Sequence, residues 1–332
     1  MTFKYNNVYI NDTATITGPY EANGPLSKYF DKSYNDLYFN TKSWELAEIK
    51  LIEESIDILL NKIGKTKFDV DVLVSGDLLN QIVATNYAAS SLGIPLIGIY
   101  GACSTSVLGL IIASNMIEAK QIKNAITSTS SHNNAAEKQF RYPVEYGGPK
   151  RKTTTFTSTG GASAYLSSNK KGIKIESATL GTVVDLGVTD VYHMGAVMAP
   201  AAAKVIYDHL RETKREIGYY DLILTGDLGR YGKDILKDYM LTEYNIELKN
   251  YDDCGSMIYD IEKQPVYAGA SGPACAPLVT YGYIFDKMYK KEIKRVLLVA
   301  TGALMNTTMV NNKSTIPSIA HAISMEVVEW FI

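Results

Sequence analysis

Cysteine and histidine are scarce, at three and four residues in 332. An odd set of cysteines, Cys103, Cys254 and Cys275, with no CxxC spacing argues against a disulfide framework and against a zinc site. A reducing compartment is the simplest setting for such a chain. An excess of one charge is also lacking. The formal net charge is −2, with acids and bases interleaved, so no nucleic-acid partner is expected. The longest basic run, Lys150-Arg151-Lys152, reads as a solvated loop. No apolar stretch is long enough to span a bilayer. The opening MTFKYNNVYI has no basic segment leading into an apolar one, so no signal peptide is expected. Membrane association, if any, is expected to be peripheral or through a partner. What the chain has in quantity is apolar residues, 46% of the total, enough for one large core or two fused ones.

Their spacing alternates between two periods. Ile52, Ile56, Leu59, Leu60 and Ile63 recur at helical intervals, with Ser43 as an N-cap and Gly64 as a stop, so a helix is predicted over 43–63. The β-branched run 70–74 predicts a strand, 82–92 a helix closed by Gly93, and 95–100 another strand. Residues 104–119 are apolar or small on nearly every side, the pattern of a fully buried helix. The run 124–131 ends in hydroxyls and reads as a strand. This alternation implies a mostly parallel sheet covered by helices. Residues 132–155 read as an inserted loop, 154–168 and 173–186 as β-rich, 187–199 as a second irregular insert, and 200–213 as a helix.

The second half repeats the first. Asp221-Leu222-Ile223-Leu224-Thr225-Gly226-Asp227-Leu228 matches Asp71 to Leu78 at an offset of 150 residues. The segment Gly269 to Cys275, its helix and the run 295–303 follow in the same order as Gly101 to Cys103, the buried helix and 124–131. The order is that of an internal duplication, with halves at 1–171 and 172–332.

Cys103 stands where a strand ends and the buried helix begins. Free N–H groups at a helix start favour a thiolate and bind anions, and they suit an acyl thioester's oxyanion. The alternative is a small buried hydrophobe. A nucleophilic cysteine needs a base, normally histidine. His132 ends the 124–131 strand and is best placed; His193 either lines a pocket or packs. His209 reads as a solvated helix residue and His321 as a core histidine. Asp77 reads first as an N-cap. Asp227 is its equivalent in the second half. Arg141 offers a guanidinium that suits a carboxylate.

The duplicated halves, with Gly101-Ala102-Cys103-Ser104 heading the buried helix, resemble the thiolase superfamily. That resemblance implies a five-layered αβαβα fold and a dimer. SGDLLNQ (75–81), GACSTS (101–106), TSSHNNAAEKQFRYPVEYGG (129–148), MGAVMAPAAA (194–203), DLILTGDLG (221–229), DDCG (252–255) and IPSIAHA (316–322) more closely resemble the stage V sporulation protein AD family. The implied ligand is dipicolinate, pyridine-2,6-dicarboxylate, free or as its calcium complex, with no cofactor. The implied partners are other proteins of the stage V sporulation membrane channel assembly, which holds the chain at the forespore or spore inner membrane and moves the ligand into the spore. Ketoacyl synthases carry a histidine in the stretch that here reads Thr225-Gly226-Asp227-Leu228-Gly229 and an asparagine in the one that reads Gly269-Ala270-Ser271-Gly272, and thiolases a second cysteine absent from 299–303. Cys103 is therefore expected to be a vestigial nucleophile in a ligand site with Ser104, Ser130, Ser131, His132, Arg141, His193, Asp227 and Ser271. The alternative is an acyltransferase using Cys103 and a relocated base, His132 or His193.

Overall fold

The computed structural model describes residues 1–140 and 150–328. In the first half the main strands are β1 (Tyr9–Thr17), β2 (Leu73–Gly76), β3 (Leu96–Gly98), β4 (Asn124–Ser131) and β5 (Gly160–Ser167). In the second they are β6 (Ile173–Leu180), β7 (Leu222–Thr225), β8 (Tyr251–Asp253), β9 (Arg295–Ala303) and β10 (Ser318–Val327). Their order across the sheet is β8-β7-β9-β10-β6-β1-β5-β4-β2-β3. Each half thus arranges its strands identically, and the halves join edge to edge through β1 and β6 at Tyr9 and Ile10. Within each half β5 or β10 opposes both its neighbours, and the halves meet antiparallel. The sheet is therefore mixed, with five antiparallel pairings to four parallel, and not mostly parallel as the alternation predicts; the parallel pairings are those among β2, β3 and β4 and among β7, β8 and β9.

The main helices are α1 (Trp44–Ile63), α2 (Val83–Leu92), α3 (Thr105–Glu118), α4 (Asn133–Phe140), α5 (Met194–Thr213) and α6 (Gly229–Tyr244). A last helix, α7, joins Cys275–Leu278, a π-wound Val279–Ile284 and Phe285–Tyr289 end to end. Helices α1 and α2 cover the outer face of the first strand set, and α5 and α6 that of the second. Helices α3 and α7 lie between the two sets. That placement explains α3's composition. Val107, Leu110, Ile111 and Ala113 are buried around its circumference because sheet lies on both sides.

Matching polar ties recur in the halves. Asp71 accepts the backbone N–H groups of Lys123 and Asn124 at 2.6 and 3.2 Å. Asp221 accepts those of Lys294 and Arg295 at 2.7 and 2.8 Å. Each aspartate pins the entry of the strand beside it. Asp221→Ala leaves two donors to water and should lower stability by about 1 kcal/mol, measured by urea unfolding.

Two boundaries differ from expectation. The 132–155 insert opens as a helix, α4, rather than a loop; residues 141–149 lie outside the described residues. Helix α5 starts at Met194, before Pro200, instead of at it. Buried Met194, Val197, Met198, Ala201, Ala202 and Val205 keep helical spacing through the proline, so packing overrides the break it signals.

Candidate functional site

Cys103 lies in the tight turn Ala102–Ser104 between β3 and α3. Ala102, just before it, has a φ of 49°, in the left-handed region that a side chain rarely adopts. Hydroxyls lock the turn. Ser104 Oγ donates to the Gly101 carbonyl at 2.7 Å, and Thr105 Oγ1 to the Ala102 carbonyl at 2.6 Å. Thr105 Oγ1 also accepts the Gly101 N–H at 3.0 Å. The Ser104 hydroxyl is thus engaged within the turn, and Ser104 does not line the cavity in front of the thiol.

The thiol opens into a cavity between the halves. Its wall is mostly apolar: Leu78, Ala136, Phe140, Met194, Met198 and Met305. Tyr100, Thr157, Ser271 and Glu137 supply its polar groups. Burial, with Cys103 and Asp77 nearby, pushes the Tyr100 phenol up to about 12, so it stays a neutral donor. Glu137 is nearly buried and lies 3.5 Å from Lys150 Nζ.

Behind the thiol stands Asp227, fully enclosed at the end of β7. Its carboxylate accepts Thr301 Oγ1 at 2.6 Å and the Gly272 N–H at 3.1 Å, and the Cys103 thiol bonds to it. Burial nevertheless pushes Asp227 up to about 7. Asp253 stands close and is held up to about 6 by burial. It accepts Thr225 Oγ1 and the N–H groups of Leu228, Gly229 and Ser256, at 2.7 to 3.1 Å.

Of the residues picked from sequence, Cys103, Asp227 and Ser271 come together. Ser131 lies nearby, but its hydroxyl is bonded to the Ser158 carbonyl at 2.7 Å. Ser130 points to the opposite face of β4 and bonds Glu48 on α1 at 3.1 Å. His132 turns the same way. Its Nε2 meets the Leu37 carbonyl at 2.7 Å, its ring packs on Phe39, and burial lowers its pKa to about 4. Neither lines the Cys103 cavity. His193 caps α5, accepting the Ala196 N–H through Nδ1 at 3.3 Å, beside the cavity wall but outside it. His209, read as solvated, is fully buried between Thr179 and Tyr220. Arg141 lies outside the described residues. The lining residues Tyr100, Phe140 and Met305 were not picked out from sequence. Met194 and Met198 carried a usable signal, since they sit four apart in a stretch of small residues and so share one helix face.

The family model for stage V sporulation protein AD matches residues 1–326. This chain belongs to that family. Stage V sporulation protein AD of Bacillus subtilis (strain 168) is 47% identical over 320 residues, covering 96% of this chain and 94% of that one. Among solved structures, an OleA variant from Xanthomonas campestris superposes with a TM-score of 0.60 at 13% identity, covering 97% of this chain and 99% of that one. The 3-oxoacyl-[acyl-carrier-protein] synthase III of Aquifex aeolicus VF5 gives 0.55 at 12%, covering 98% and 100%. These distant likenesses establish a thiolase-like fold for this member of the stage V sporulation protein AD family. Among its described residues no helix is long and apolar enough to cross a membrane.

Proposed function

We propose that this sporulation protein binds dipicolinate without transforming it, for delivery into the developing spore. The observation that supports this reading is the partner of Cys103. The thiol meets the carboxyl group of Asp227, from the stretch 225–229 that holds no histidine, and His132 and His193 are both engaged elsewhere. General acid–base help is worth roughly 10²–10⁴-fold in rate, so its loss suits recognition better than condensation. The flat ring of the ligand packs between Met194, Met198, Met305 and Phe140, and the hydroxyls of Ser271, Thr157 and Tyr100 donate to its carboxylates. The protein acts as a homodimer at the forespore membrane, held there by partner proteins of the stage V assembly.

Calorimetry with dipicolinate tests the reading. Saturable heat is expected, and Ser271→Ala should weaken binding about tenfold by removing one hydrogen bond to a charged group. A folded protein that gives no saturable heat would rule the ligand out.

The Cys103–Asp227 contact favours one second reading, acyl transfer with Asp227 as the relocated base. Incubation with an acyl-CoA followed by intact mass measurement separates the two. A stable adduct that disappears in Cys103→Ser would favour the enzyme; an unmodified mass supports the binder.

A further inference from the structure

The cavity poses an electrostatic problem for the ligand proposed above. A dianion entering it meets an apolar wall, and two acids stand behind the thiol. Among the described residues, the side chains facing Asp227 bring no positive charge. From the turn before α3 comes the Cys103 thiol, and from β9 the Thr301 hydroxyl. From β8 comes Asp253, which acts on Asp227 as a second acid. Cys254 and Cys275, from the start of the next helix and of α7, are thiols that burial pushes up and keeps neutral. On the cavity side are the Tyr100 phenol and Glu137, whose charge is already matched by Lys150.

Nor do the described residues provide for a divalent cation. Calcium takes six to eight oxygen ligands. Both oxygens of Asp227 are engaged, and Asp253 is held by four donors. Among the described residues no group of three or more candidate ligands gathers.

We propose that ligand binding at the Cys103 cavity takes up one proton, which Asp227 holds. The inference rests on the dipicolinate reading. Protonated, Asp227 no longer repels the incoming carboxylate, and its hydroxyl can donate toward the Cys103 sulfur, which stands between it and the cavity. Free Asp227 titrates near 7, and an anion placed beside it raises that value further. Above pH 7 the free protein therefore binds fewer protons at this site than the complex does. Affinity falls as pH rises, approaching tenfold per pH unit. Below about pH 6 the group is already protonated in the free protein and the coupling disappears.

Calorimetry of the full chain with dipicolinate, in two buffers of different ionisation enthalpy, reads the proton directly. Uptake approaching one proton is expected at pH 8, and close to none at pH 5.5. Asp227→Asn should bind equally at both, with its fold checked by thermal melting. Thr301→Val removes a donor to the ionised carboxylate and should move the onset of pH dependence upward. Saturable binding at pH 8 with no net uptake overturns the proposal, as does unchanged uptake in Asp227→Asn or a requirement for calcium that replaces the proton. Absence of saturable heat at both pH values instead overturns the ligand reading, and this inference with it.

Discussion

Replacing Glu21 by glutamine should remove about 3 kcal/mol of the stability that the protein loses between pH 5 and pH 8, from the 1.36 kcal/mol carried by each pKa unit. Glu21 lies on the short helix Pro19–Ala22 and has no exposed surface. One carboxyl oxygen accepts the Thr159 N–H at 2.9 Å and the Tyr259 hydroxyl, and the other has no hydrogen-bond partner among the described residues. Burial outweighs those bonds and holds its pKa up to about 7, from an ordinary 4.5. The folded state therefore binds the extra proton between these values. The stabilisation is full below pH 4.5 and is lost as pH rises through 7. Three buried histidines have the opposite sign. Burial lowers His132, His209 and His321 to about 4, so their contribution is lost as pH falls from 6.5 toward 4. Between pH 4.5 and 6.5 the two sets oppose each other. Above 6.5 the histidines are neutral in both states, and the ionisation of carboxyl groups raised by burial, Glu21, Asp227 and Glu48 among them, sets the slope. The glutamine amide keeps the acceptor for Thr159 and Tyr259 while removing the charge. Urea unfolding at pH 5.5, 6.5 and 8 measures the difference; an equal alkaline loss in Glu21→Gln and the parent would refute the assignment.

The scaffold was legible in the sequence because local patterns set it. Ser43 and Gly64 cap α1 as the spacing predicts, with Ser43 accepting the Leu46 N–H and Gly64 in the left-handed conformation. The repeat at 150 residues is a repeat of real elements, since α1 and α5 have equal length and start at Trp44 and Met194. The site was less legible because it depends on which way a side chain points. Ser130 and Ser131 are neighbours in sequence, yet strand alternation sends one to α1 and the other inward. His132 was favoured for lying near the right sheet edge, but the pull of Phe39 and the Leu37 carbonyl lies on the far face. Asp227 was visible only as the equivalent of Asp77. Its contact with Cys103 comes from opposite halves of the chain, a separation that no local pattern reports.

That inter-half contact makes Gly302 a sensitive position for the geometry of the site. Gly302 lies on β9 directly against the Cys103 turn. A Cβ there would sit 2.4 Å from the Gly101 carbonyl oxygen, 3.1 Å from the Ser104 nitrogen and 3.3 Å from the Ala102 Cβ. The first two neighbours are backbone, so no rotamer change relieves the clash. The turn cannot yield easily, because Ser104 and Thr105 hold it and Ala102 is already in the left-handed region. Gly302→Val must therefore separate β9 from the turn, and with it Thr301 and Asp227 from Cys103. Overpacking of this kind costs about 1–3 kcal/mol, and backbone neighbours place it at the upper end. Loss of ligand heat is expected together with faster alkylation of Cys103 by iodoacetamide, as the thiol is released from the carboxyl group behind it. Parental stability and an unchanged alkylation rate in Gly302→Val would mean that β9 does not set the position of the thiol.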